Sequence, residues 1–319
     1  MTRVSDLVRS LGGMAQKQQL VRLGARDSHL AYAVRTGDVI RVRNGWYSTL
    51  DPADPHLRAV RVGGRLTGLS LIHALGGWVE HGPPLHVSLP RNAARLRTPH
   101  NRFRRFSPDQ PGGVVLHWES RDLGDRGTVT EVGLTDALVR VILDEPLEVA
   151  VACLDWALHT GRIDRIDLEG IILRLPADLQ TIGEWVDGAC ESLPESLSRT
   201  RFRLAGHTVI SQVPIEGTAE RIDLVVDDIA GLEVDGEAFH LTRFEQDRRK
   251  DLRIIGQHLH PVRPSARMVF DAWPDVLAAV QTVLADRGRP PCRPLGNSGI
   301  PLRRRSRRPG NRSRPVRSS

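Results

Sequence analysis

Three stretches near the start, "VSDLVRSLGG", "AQKQQLVRLG" and "RDSHLAYAVRTG", carry apolar residues at helical spacing and close on glycine. They predict three helices ending at Gly12, Gly24 and Gly37. Asp27 or Ser28 stands where the third helix needs an N-cap. In "VIRVRNGWYSTL" apolar and polar positions alternate, and Asn44-Gly45 supplies the tight turn of a hairpin with strands over 39–43 and 46–48. Further on, a helix is expected over 70–75, strands at "LHVSLP" and "VVLHWES", and a helical run at "GLTDALVRVILDEPLEVAVACLDWALHTG" that Pro146 splits in two. Val149, Ala152, Cys153, Trp156 and Ala157 share one helical face and are expected in a core, while His73 and His86 read as structural. From residue 192 the order is helix, glycine stop and strand in "SLPESLSRTRFRLAGHTVISQVPI", two strands in "ERIDLVVDD" and "GLEVDGEAFH", and a helix in "RFEQDRRKDLRIIGQ". Pro261 and Pro264 cannot donate ladder hydrogen bonds, so a strand there is short or lies at an edge.

A chain of 319 residues with 40% hydrophobic and 26% charged residues is long enough for several domains. The boundaries fall at 1–55, 56–180, 181–285 and 286–319. No apolar run approaches the roughly 20 residues that cross a bilayer, and the N-terminus lacks the apolar stretch of a secretory signal. A cytoplasmic protein without a membrane partner is expected. Cys153, Cys190 and Cys292 lie far apart with no CxxC pair, which argues against a zinc knuckle and a disulfide framework. The net charge of +7 is segregated. Residues 1–107 carry 17 Arg/Lys against 6 Asp/Glu, residues 286–319 carry 11 Arg against Asp286, and the remainder holds 17 basic and 31 acidic residues. Basic segments of this size suit a polyanion, because neutralised phosphates release counterions. The Pro, Arg, Ser and Gly-rich tail has little to bury and is expected to be disordered.

Three helices and a basic hairpin describe a winged helix, whose third helix enters the major groove while the wing touches backbone or minor groove. Arg26, Ser28, His29, Tyr32 and Arg35 form the polar face of the third helix, with Leu30 and Val34 spaced to pack inward. Arg41 and Arg43 flank Val42 on the wing. The run "LGGMAQKQQLVRLGARDSHLAYAVRTGDVIRVRNGWYS" resembles the N-terminal winged helix of AbiEi-type antitoxins, which implies DNA binding over about 45 residues. A protein-binding role for such a unit stays open.

The carboxylates lie in the C-terminal part. Glu233 and Asp235, two apart in a strand, point to one face. Asp223 begins the preceding strand, and pairing across "DIAG" brings it to them if the register allows; Glu195 sits on the preceding helix. Helix, three strands and helix is the core order of PD-(D/E)xK-type nucleases. There converging acids hold Mg²⁺, which stabilises developing charge and acidifies a bound water. About 90 residues over 192–283 resemble the uncharacterised domains related to very-short-patch-repair endonucleases. That resemblance implies Glu195, Asp223, Glu233 and Asp235 as metal ligands, with Gly236 and His240 beside them. It also implies that Asp247, Arg248, Arg249 and Asp251 of "RFEQDRRKD" support the site or meet phosphate. Asp235 stands where the signature lysine would be, and His240 is the substitute for general-base work, with a structural role for it equally open.

The expectation is an α+β multidomain protein: a winged helix, a linking α/β region, a restriction-endonuclease-like domain and a basic tail. It binds double-stranded DNA and uses Mg²⁺ to hydrolyse phosphodiester bonds, with phage defence and DNA repair both open as settings. The competing expectation is a non-enzymatic transcriptional regulator of antitoxin type with an inactive nuclease-like domain. A self-complementary cut would need a homodimer, although no dimerisation signal stands out.

Overall fold

Apolar residues at helical spacing gather the N-terminal helices onto one small core of Val4, Val8, Leu20, Leu30, Ala33 and Tyr47. The computed structural model describes residues 3–109, 112–118, 127–235 and 244–286. Helices α1 (Val4–Ser10), α2 (Lys17–Arg22) and α3 (Asp27–Thr36) precede a hairpin of β2 (Ile40–Arg43) and β3 (Trp46–Ser48). A short β1 (Met14–Gln16), not anticipated from its sequence, pairs antiparallel with β3 and completes a sheet of order β1-β3-β2. Gly37 closes α3 in the left-handed conformation. The N-cap of α3 is Arg26 rather than Asp27 or Ser28, and Asp27 instead pairs with Lys17 at 2.8 Å.

The middle of the chain builds the largest core. Helix α4 (Pro55–Val62), capped by Asp54, leads to β4 (Arg65–Leu66) and α5 (Gly68–Ala74). β5 (Leu85–Leu89) pairs antiparallel with β4 and parallel with β6 (Val114–Trp118). α6 (Leu134–Asp144) and α7 (Leu147–His159) are divided at Pro146, which fixes a non-helical turn and serves as the N-cap of α7. α8 (Arg165–Ile172) and a 3₁₀ turn over Ala177–Glu184 follow. Ala152, Cys153, Trp156 and Ala157 are buried, and Val149 packs against the same core.

α9 (Leu193–Leu204) opens the C-terminal part with Pro194 in its first turn and Ser192 as N-cap. Strands β7 (Val209–Pro214), β8 (Arg221–Val226) and β9 (Ala230–Leu232) are antiparallel neighbours. α10 (Phe244–Gly256) then returns the chain to β10 (His260–Val262), which pairs parallel with β9 at the sheet edge. An edge is where Pro261 is tolerated. α11 (Ala266–Asp271) packs on α9 and α12 (Trp273–Asp286) on the sheet, and Phe202 meets Trp273 with ring centroids 4.7 Å apart. α7 and α9 are tied by a buried ion pair, Arg199 to Asp155 at 2.8 Å.

The chain is thus a mixed α and β protein, with three small sheets among the described residues. No helix there is long and apolar enough to cross a membrane. The strand expected over "GLEVDGEAFH" is shorter, ending at Leu232; residues 236–240, including His240 and Gly236, lie outside the described residues, as does the chain beyond 286.

Candidate functional site

Strand register brings the acids together. Ser211 faces Leu224 and Val213 faces Ile222, so Gln212 lies across from Asp223. Leu224 faces Leu232, the last pair of β8 and β9, so Asp223 and Glu233 stand just beyond it at the same end of the two strands. Asp223 Oδ2 accepts the Val234 N–H at 2.8 Å, which locks the carboxylate to the end of β9. Glu195 approaches from the first turn of α9 because Ser192 caps that helix. Glu195 Oε1 accepts from the Ser192 hydroxyl at 2.6 Å, while Oε2 accepts from Glu191 N and Gln212 Nε2, each at 3.0 Å. Gln212 adopts φ 54°, a backbone conformation costly for a non-glycine residue and often retained at functional sites.

These acids disturb one another. Burial, followed by the charges of Glu233 and Glu195, pushes Asp223 up to about 7. Glu233 is also raised by burial, although a hydrogen bond and the charge of Lys250 oppose the shift. Lys250, on α10, contacts Glu233 Oε2 directly, while Oε1 is buried without a hydrogen-bond partner among the described residues. A buried carboxylate and a half-buried one beside it, with one oxygen unmatched by a donor, fit a hard divalent cation. The oxygens of Glu195, Asp223 and Glu233 do not, however, all lie within 4.8 Å of one another.

Asp235 is engaged elsewhere. Arg263, just after β10, donates Nη1 to Asp235 at 3.2 Å and Nε to Asp251 at 2.6 Å, and Nη2 reaches the Asp247 carbonyl at 3.2 Å. Asp235 is raised by burial and by Asp247, against the pull of Arg263. Asp247 and Asp251 therefore serve this arginine, while Arg248 and Arg249 are exposed on α10. Lys250 and Arg263 were not anticipated from the sequence, being 17 and 28 residues from the acids they meet. One signal existed: Asp247, Lys250, Asp251 and Ile254 share a helical face, and Ile254 is fully buried.

On α3, Arg26, Ser28, Tyr32 and Arg35 are exposed, and the Arg35 guanidinium lies 5.4 Å over the Tyr32 ring. His29 is partly withdrawn, its Nδ1 accepting the Arg26 N–H at 3.3 Å. Leu30 and Ala33 are buried, with Val34 packed at their margin. Arg41 is exposed and bonds Asn44 at 2.9 Å. A bulge at β2 turns Arg43 away from it, so that Arg43 Nη1 points to the Val60 carbonyl at 3.4 Å.

A second polar cluster sits in the middle core. His86 and His117, on neighbouring parallel strands, are 3.1 Å apart, and His117 Nδ1 lies 3.4 Å from Asp144. With Asp144 they are the one set of three such residues, among the described residues, whose potential ligand atoms lie within 4.8 Å of one another. Burial, with His86 and Arg140 alongside, pushes His117 down to about 3. A neutral His117 suits a buried hydrogen-bond relay from Asp144 to His86. No protein-family model matches the chain, and no curated protein matches it significantly.

Proposed function

We propose that the protein is a DNA-binding, divalent-metal-dependent phosphodiesterase, with a winged helix at its N-terminus and a restriction-endonuclease-like unit formed by α9, β7 to β9, α10 and β10. The observation that carries it is the half-buried Asp223 beside the buried Glu233, its carboxylate bonded to the Val234 N–H at the end of β9, with Lys250 against Glu233. Asp223 and Glu233 would hold Mg²⁺, which when bound supplies charge stabilisation at the scissile phosphate and a more acidic water. Glu195, fixed by Ser192 and Gln212, backs that pair. Lys250 pairs with Glu233, opposing the upward push of burial on it, and brings to the site a cation of the kind expected at position 235. Asp235 pairs with Arg263, which through Asp251 braces the end of β10 against α10, instead of joining the ligand set. Arg249, exposed on α10, is available to phosphate. His240 keeps its proposed proton-handling role. The exposed Arg26, Ser28, Tyr32, Arg35 and Arg41 support DNA docking, with His29 and Arg43 contributing from behind.

The regulator reading draws on one observation, the separation of the three carboxylates beyond 4.8 Å. Nicking of supercoiled plasmid with Mg²⁺ or Mn²⁺ separates the two. Metal-dependent nicking that is lost in Asp223→Asn and Glu233→Gln supports the enzyme. Intact plasmid with every metal, together with a gel shift of the same DNA, sinks it in favour of the regulator.

A further inference from the structure

From His81 to Pro108 the chain carries six arginines and no Asp or Glu. This run is folded: Arg97 and Arg105 form an antiparallel bridge, Thr98 N donates to Arg104 O at 3.0 Å, and Phe106 N donates to Leu96 O at 3.1 Å. Arg97 N donates to Val62 O at 3.1 Å, which pins the small hairpin to the end of α4. Helix α4 adds Arg58 and Arg61 and has no acid of its own. Arg61 is only 7% exposed. Its Nη1 donates to the Pro99 carbonyl at 3.0 Å, yet its Nε is buried without a partner, as is that of Arg58.

The cations crowd one another. Burial first, then Arg102 and Arg58, holds Arg61 down; burial, then Arg58 and Arg61, does the same to His100. Nearby acids are occupied, since Asp54 caps α4 and flanks His56 together with Glu131. Among the described residues, no carboxylate forms an ion pair with Arg58, Arg61, Arg97, Arg102, Arg104 or Arg105. Arg102 stacks 4.4 Å over Phe103, an aromatic ring that is itself 75% exposed, so this guanidinium is held at the surface. Clustered, weakly hydrated guanidinium groups at the surface, here Arg102, Arg104 and Arg105, match phosphate oxygens. The cluster also joins the N-terminal hairpin, because Arg43 is lowered by burial and by neighbouring Arg97, and a Cβ on Gly63 would touch both Arg43 and Leu96.

We propose that the hairpin over 97–105, together with Arg58 of α4, forms a second docking surface for the phosphate backbone of double-stranded DNA, continuous with the N-terminal hairpin and backed by the buried charge of Arg61. Such a surface lends the middle part of the chain a binding role. The inference rests on the DNA-binding part of the proposed function and not on catalysis.

Fluorescence anisotropy with the full chain and a long mixed-sequence duplex, repeated over a range of salt concentrations, tests it. Arg104→Ala/Arg105→Ala, at two exposed positions, should weaken binding and lower the salt slope by about 2, roughly 0.9 for each phosphate left without its arginine. Arg26→Ala/Arg35→Ala reports on α3 separately. An unchanged slope in the first variant, with weakened binding in the second, overturns this surface and leaves α3 standing. No duplex binding by the wild type overturns both. A fall in slope seen with single strands or RNA but not with duplex overturns the choice of partner.

Discussion

Asp223→Asn should stabilise the metal-free protein, and increasingly so as pH rises. In the folded state burial, Glu233 and Glu195 push Asp223 up to about 7, whereas an unfolded aspartate titrates near 3.9. A carboxyl raised on folding favours the folded state fully only below its unfolded value, and that advantage is lost as pH climbs through about 4 to 7. At 1.36 kcal/mol per pH unit, the raised carboxyl costs folding about 4 kcal/mol at pH 8 and roughly 1–2 kcal/mol at pH 5. Asparagine keeps an oxygen to accept the Val234 N–H and removes the charge. The variant should therefore gain roughly 2–3 kcal/mol on the wild type between pH 5 and pH 8. Urea unfolding in EDTA at both pH values, followed by tryptophan fluorescence, measures the difference. A variant whose advantage is flat or shrinks with pH would refute the claim that these acids repel one another in a buried site.

Arg199→Met leaves Asp155 buried with only Ser196 and the Asp187 amide as partners, and should cost roughly 3–5 kcal/mol in urea or thermal unfolding; a loss below about 1 kcal/mol would mean the pair is not buried as described. Lys250→Met should destabilise by about 1.5–3 kcal/mol, with a larger loss at pH 8 than at pH 5 because Glu233 escapes the penalty only when protonated. An equal loss at both pH values would contradict the Lys250–Glu233 pairing. His117 should stay neutral in its imidazole NMR shifts down to pH 5, since burial holds it near 3. A midpoint near 6.5 would place it in water.

Local signals carried much of the architecture. Gly37 closing α3, the Asn44-Gly45 turn between β2 and β3, the break at Pro146 and the edge position of Pro261 all follow from backbone chemistry visible in a few adjacent letters. Strand β1 was not legible, because three residues give no periodicity and its pairing with β3 is settled by tertiary contact. The candidate acids were legible as residue types, and the register that brings Asp223 to the end of β9 beside Glu233 came only with the fold. Lys250 and Arg263 were hidden because each meets its acid across space, from α10 and from the end of β10. The same limit applied to Arg43, which alternation placed beside Arg41 until the bulge in β2 turned it toward α4.

Plasmid nicking can fail for want of the right DNA sequence, whereas cation binding needs no substrate. Calorimetric titration of Mn²⁺ into the full chain at pH 8, where Asp223 is ionised, is therefore the most direct measurement of the proposed centre. The expected result is a bound cation in the wild type that is lost in both Asp223→Asn and Glu233→Gln. Binding that persists in both variants, or no binding by the wild type, would contradict the proposed centre.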